Sequence, residues 1–193
     1  MLSSTTSRLR TSHLARLTGI ILFAAFTALA ARVTLPLPFT PVPITLQVMA
    51  VLLSGLVLGP RAGAASQLVY LATIAAGLPL DARGLGTAAL TGPTAGYLIG
   101  FVPAAFVTGW LAERLPATRI SRFLAALAGV AVIYAAGVAW LAPAVGGLRT
   151  AWTLGVAPFI LIDLGKALVA AAAAESGRLL MDQQSPQQTR NLR

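Results

Sequence analysis

Asp163 and Lys166 lie three residues apart inside the apolar run from Ala157 to Ala171. Lys166 is the only lysine in the 193 residues, and Asp163 is one of five acidic residues. On a helix, positions three apart project from one face. A charge near the centre of a helix that crosses a bilayer costs about 2.5–3.5 kcal/mol on insertion scales, so two of them imply partners in a protein interior. An aspartate accepts from amide or ureido N–H groups, and a lysine donates to a carbonyl or neutralises a carboxylate. The pair reads as a binding site for a small ligand carrying both kinds of group. Mutual pairing that only stabilises a bundle is the plainer alternative.

Other polar side chains within apolar stretches are weaker candidates. Gln47, Gln67 and Tyr70 suit either a ligand contact or a helix–helix hydrogen bond, and Thr45 suits either a ligand contact or a helix N-cap. Tyr97 and Trp152 fall near expected membrane interfaces, where aromatic anchoring is common. Tyr97 also follows a glycine-rich segment directly, which suits a ligand contact. The chain has no cysteine, and its one histidine, His13, precedes the first apolar segment. A thiolate or histidine metal site and a Ser-His triad therefore have no candidate residues within the membrane. No Gly-x-x-x-x-Gly-Lys-Ser/Thr loop occurs, so the sequence offers no ATP site of that kind.

These side chains need elements to position them. The residues are 57% hydrophobic and 10% charged, with mean hydropathy +0.82. A soluble domain carries about a quarter charged residues, so this composition predicts an all-α integral membrane protein. Six spans are expected: Leu17–Val33, Thr45–Leu58, Ala62–Ala76, Thr94–Ala112, Phe123–Leu141 and Ala151–Ala174. The second and third fall short of the roughly 20 residues a spanning helix wants, so neighbours or local thinning must accommodate them. Pro103 and Pro158 fall inside spans and predict kinks. The segment after the basic residues Arg8, Arg10 and Arg16 resembles a signal peptide, but it lacks a small-residue cleavage site with a polar region behind it, and is read as a retained helix. The expected organisation is a polar tail over 1–16, a six-helix domain over 17–176 and a second polar tail over 177–193. The far ends, Met1–Ser12 and Asp182–Arg193, are expected to lack regular structure.

With the N-terminus inside, Arg8, Arg10, Arg16, Arg61, Arg114, Arg119, Arg122, Arg178, Arg190 and Arg193 lie on the inner side, against Arg32, Arg83 and Arg149 outside. This asymmetry places both termini in the cytoplasm. It also accounts for the net charge of +9 without nucleic acid as a partner. Two outer segments stand out. Thr34–Gln47 holds Pro36, Pro38, Pro41 and Pro43, a stiff apolar loop suited to a lid. Gly77–Thr94 is rich in glycine, which permits tight turns and close backbone approach. On the first helix, Ala24 and Ala28 put small residues four apart, a smooth stripe that suits docking by another membrane protein.

Several stretches in this order resemble the BioY family, the biotin-specific substrate-binding (S) components of energy-coupling factor (ECF) transporters. They are Phe39–Gln47, Leu56–Arg61, Gly77–Pro79, Thr91–Tyr97 and Pro158–Lys166. The resemblance covers nearly the whole chain between the tails. It implies a six-helix bundle of the ECF S-component type, an outward-facing biotin pocket and a lid between helices one and two. It also implies that the helix-one stripe at Ala24 and Ala28 docks a transmembrane coupling protein driven by ATPase subunits. Biotin's ureido ring and carboxylate suit an Asp/Lys site. Asp163 and Lys166 carry over as biotin ligands, as do Thr45 and Gln47 from the lid motif. Leu80–Arg83 departs from the family pattern, which usually has an apolar and aromatic pair followed by glycines. That departure places Asp81 or Arg83 near the carboxylate end of the ligand, or else leaves them as a surface ion pair.

The expectation is thus a multi-pass protein of the bacterial cell (inner) membrane that captures biotin from outside and delivers it inward, with an energy-coupling module or slowly alone, and with no enzymatic activity, no metal and no cofactor. Its partners are biotin, membrane lipids and the ECF coupling module, and a homo-oligomer is left open. An S component for another vitamin and a proton-coupled secondary transporter working through Asp163 are the rivals. No internal repeat supports the latter.

Overall fold

The computed structural model describes residues 3–190 of the chain, with side chains described over 13–177. Helix α1 spans Ser3–Arg32 and leads into strand β1, Thr34–Leu35, which pairs antiparallel with β2, Ile44–Thr45. Helix α2 spans Gln47–Ala75, a 3₁₀ turn covers Gly86–Leu90, and α3 runs Ala95–Arg114. Helices α4, Arg119–Val145, α5, Leu148–Gly155, and α6, Ile160–Arg190, complete the chain. The terminal stretches Met1–Ser12 and Asp182–Arg193, expected to lack regular structure, lie outside the residues whose side chains are described. Their described backbone is continuous with α1 and α6.

Alanine and leucine favour helix, and in hydrocarbon a helix alone satisfies its own backbone polar groups without a partner strand. Local signals then set some boundaries. The Thr118 hydroxyl accepts from Ser121 N at 3.1 Å and so caps the start of α4. Large apolar side chains on α1 (Leu17, Ile21, Leu22, Leu29) and α6 (Leu161, Leu168, Val169) are exposed and face outward, as lipid contact requires.

Helix α2 is two antiparallel arms, 47–58 and 60–75. Gly59 has φ 77° and ψ 179°, a conformation that side-chain-bearing residues rarely adopt, and Pro60 starts the second arm. The Gln67 Nε2–Ser54 Oγ distance is 3.2 Å and the Gln47 Nε2–Tyr70 OH distance is 2.7 Å. In a straight helix the first two residues would stand about 20 Å apart and the second two about 35 Å apart. Four helices (His13–Arg32, Gln47–Ala75, Ala95–Arg114, Arg119–Val145) are each long and apolar enough to cross a membrane, and α5 with residues Ile160–Gly177 of α6 is long and apolar enough as a pair, bent by 57°. With α2 folded back on itself, the bundle has six segments, as expected. The arms measure only about 18 and 24 Å at 1.5 Å per residue, which is why each is sheltered by neighbouring helices. Pro158 falls in the break between α5 and α6, and Pro103 lies within α3.

One end of the bundle gathers the loops. Arg32 donates to the Pro79 carbonyl, the Thr40 hydroxyl donates to Leu154 O at 2.6 Å, and Trp140 Nε1 donates to Gly92 O at 3.1 Å. At the other end Arg122 pairs with Glu175 at 2.5 Å, and Gly59 adjoins Glu113. An even number of crossings puts the start of α1 and the end of α6 on the side of the Gly59 turn.

The stripe on α1 corrects an expectation. Ala24 is 6% exposed and belongs to the bundle's own core, while Ala28 is half-buried and packs against that core. Small residues there let α1 approach α2 closely, rather than presenting a face to a separate protein. Ala24→Leu should therefore destabilise the fold by about 1–3 kcal/mol through overpacking. The thermal midpoint of the purified protein in detergent measures this. An unchanged midpoint with lost uptake would return the stripe to an external docking role.

Candidate functional site

The lid is built first. β1 and β2 close the proline loop, with Thr34 opposite Thr45 and Leu35 opposite Ile44. Prolines between them stiffen the chain, and Thr40 ties its tip to the end of α5. Thr45 Oγ1 accepts from Gln47 N at 3.2 Å and donates to Gln47 Oε1 at 3.4 Å, which fixes the Gln47 side chain where α2 begins. Gln47 Nε2 donates to the Tyr70 hydroxyl, which itself donates to Leu80 O at 3.2 Å. A polar chain thus runs from the lid's base through both arms of α2 to the glycine-rich segment.

Beneath the lid lies a cavity of about 660 Å³ including its open mouth. Residues 42–45, 47–48 and 81–83, Thr94, then Tyr97, Leu98 and Phe101 of α3, Ile133 and Tyr134 of α4, Gly155 and Phe159 at the α5–α6 break, and Asp163 and Lys166 of α6 surround it. Asp163, Lys166, Gln47, Thr45, Tyr97 and Arg83 all line it, whereas Gln67 and Tyr70, the other polar candidates in the apolar stretches, do not. Asp163 stands in the first turn of α6, where the helix dipole favours a negative charge. Its Oδ1 accepts from Lys166 Nζ at 2.7 Å and its Oδ2 from the Tyr134 hydroxyl at 2.7 Å. Asp163 is 3% and Lys166 8% exposed. The two charges meet inside the chain, and each retains hydrogen-bonding capacity on its cavity side. Tyr97 OH donates to Gly155 O at 3.0 Å and holds the end of α5 against α3.

Sequence reasoning missed Tyr134. It is a solitary polar group in an apolar span, the same signal that drew notice to Gln67, but its pairing with Asp163 depends on how α4 meets α6. Gln67 proves to be a helix–helix node away from the cavity. Its amide donates to Ser54 Oγ at 3.2 Å and Ser66 Oγ at 3.1 Å, and accepts from the Thr27 hydroxyl at 3.3 Å. Trp152 is exposed on α5, as an interfacial anchor would be. In the Leu80–Arg83 segment, Asp81 is buried, and its oxygens accept from Arg83 N at 2.9 Å and Gly86 N at 2.8 Å. The guanidinium of Arg83 donates to the Pro41 carbonyl of the lid. Asp81 and Arg83 do not form the surface ion pair: among the described residues the side-chain ion pairs are Asp163–Lys166 and Arg122–Glu175.

A six-segment membrane bundle enclosing a loop-covered, mostly apolar cavity with a buried acid and base and a half-buried phenol is a membrane-embedded small-molecule-binding protein. Comparison narrows the class. A sequence model described as the BioY family matches residues 4–183. The "Biotin transporter BioY" of Rhizobium etli is 43% identical over 160 residues, covering 78% of this chain and 86% of that one. The protein of the same name from Thermotoga maritima is 43% identical over 155 residues, covering 79% and 89%. A solved structure, "Crystal structure at 2.1 A of the S-component for biotin from an ECF-type ABC transporter", superposes with TM-score 0.81 at 28% identity, covering 87% of this chain and 93% of that one. The chain belongs to the BioY family.

Proposed function

We propose that this chain is the biotin-capturing component of an uptake system in the cell membrane, with both termini cytoplasmic and the lidded cavity opening outward. The Tyr134–Asp163–Lys166 set at the cavity wall carries the reading. Biotin's ureido ring offers N–H donors to Asp163 and a carbonyl to Lys166, and its apolar bicycle and chain suit Phe101, Ile133 and Phe159 along the same wall. Kinship with biotin transporters and with a biotin S component supports biotin over other vitamins. The arginine distribution supports the orientation. Delivery inward is assigned to an energy-coupling module of membrane and ATPase subunits. Ligand binding shifts the lid toward its closed form, as long as the two forms differ in affinity for biotin.

Equilibrium binding of labelled biotin to the detergent-purified chain tests this. Saturable binding at one site is expected. No measurable biotin binding, together with tight binding of a different vitamin, would transfer the chain to that vitamin.

A further inference from the structure

Arg83 lines the cavity and is exposed at its mouth. A guanidinium has five N–H donors in a planar fork. Here Pro41 O of the lid accepts from it, and among the described residues no carboxylate lies within ion-pair distance. Adjacent Asp81 does not neutralise it directly, because two backbone N–H groups of the loop hold that carboxylate turned toward themselves. Farther in, Lys166 is already matched by Asp163 at 2.7 Å. The cavity therefore presents a charge-balanced set on α6 and a cation with unclaimed donors beside its lid.

We infer that Arg83 is an anion-sensing latch: it takes the free carboxylate of an elongated ligand whose uncharged polar head lies at Tyr134, Asp163 and Lys166, and holds the lid closed through Pro41. The inference rests on the biotin reading and adds to it a specificity and a dwell time. The fork can hold a carboxylate and the Pro41 carbonyl together. A bound carboxylate fixes the guanidinium, and the fixed guanidinium fixes the lid. Without the anion, the exposed Arg83 side chain is held at the lid by Pro41 O alone, and the lid is otherwise closed by the β1–β2 pairing and the tie from Thr40 to Leu154 O. The site should thus select monocarboxylates over their neutral amides or esters, chiefly by slowing release.

The test measures dissociation of biotin and of biotin amide from the full chain, in wild type, Arg83→Gln and Arg83→Lys. In wild type, biotin should leave about ten- to hundred-fold more slowly than its amide, the usual scale of a charge-assisted hydrogen bond. Arg83→Gln should erase that difference by speeding biotin release while leaving amide release nearly unchanged. Arg83→Lys, which keeps the charge but not the fork, should restore part of it. High salt should shrink the difference in wild type, because the mouth is open to solvent. A merely structural loop role would speed both ligands equally, and that result overturns the latch. So does Arg83→Gln that still discriminates as wild type does. Absence of biotin binding in wild type would sink the biotin reading itself, and the latch with it.

Discussion

Asp163→Ala should reduce biotin affinity by a factor of about one hundred or more. The substitution removes the acceptor for the ureido N–H groups and strands two donors, Lys166 Nζ and the Tyr134 hydroxyl, that now meet it at 2.7 Å each. Truncating one partner of a buried hydrogen-bonded charge pair costs about 2–5 kcal/mol, much of it the penalty of the charge left behind. Part of the loss will therefore appear as lower stability. The double variant Asp163→Asn/Lys166→Met separates the two effects. It removes both charges at similar volume, so its thermal midpoint should recover toward wild type while binding stays lost. Titration calorimetry and thermal unfolding on the same preparations give both readings. A double variant that binds biotin like wild type would remove the pair from the site and leave it as bundle stabilisation.

The second large effect is structural. At Gly109 an added Cβ would fall 2.6 Å from both Gly59 C and Pro60 N, and 2.8 Å from Gly55 O. These are backbone atoms of the α2 hairpin, so no side-chain rotation relieves the contact. Gly109→Val should cost at least the upper part of the usual 1–3 kcal/mol overpacking range, and lower the thermal midpoint sharply or abolish monodisperse protein. Gly109→Ala should show the same direction at smaller size. Because this contact lies at the opposite end from the lid, protein that survives as a folded fraction should bind biotin with near-normal affinity. Wild-type stability in Gly109→Val would mean that α3 does not cross the hairpin at its turn.

Much of the site was legible because lipid makes charge conspicuous. Two ions in a run of hydrocarbon side chains needed an interior partner, and the fold supplies a cavity bordered by both. The proline segment was legible as a lid because prolines cannot continue a helix, and it does cover that cavity. The α1 stripe was misread for a physical reason. A helix in this chain is apolar on nearly every side, so hydrophobic periodicity does not separate the face that meets lipid from the face that meets protein. Ala24 and Ala28 therefore read as a face for an external partner, although both pack on the bundle's own core. Tyr134 was hidden by the same ambiguity, since α4 had no visible inward side.

By itself the sequence determined the solvent, the expected crossings and the two charges, Asp163 and Lys166, that lie buried beside the cavity. Those follow from composition, from runs long enough to span hydrocarbon and from the cost of ions there, all of which are additive along the chain. The tertiary structure alone decided that Tyr134 completes the Asp163–Lys166 set and that Arg83 reaches the lid's Pro41 carbonyl. Each of these joins segments distant in sequence, and close packing of helix against helix, not any local preference, selects which side chains meet.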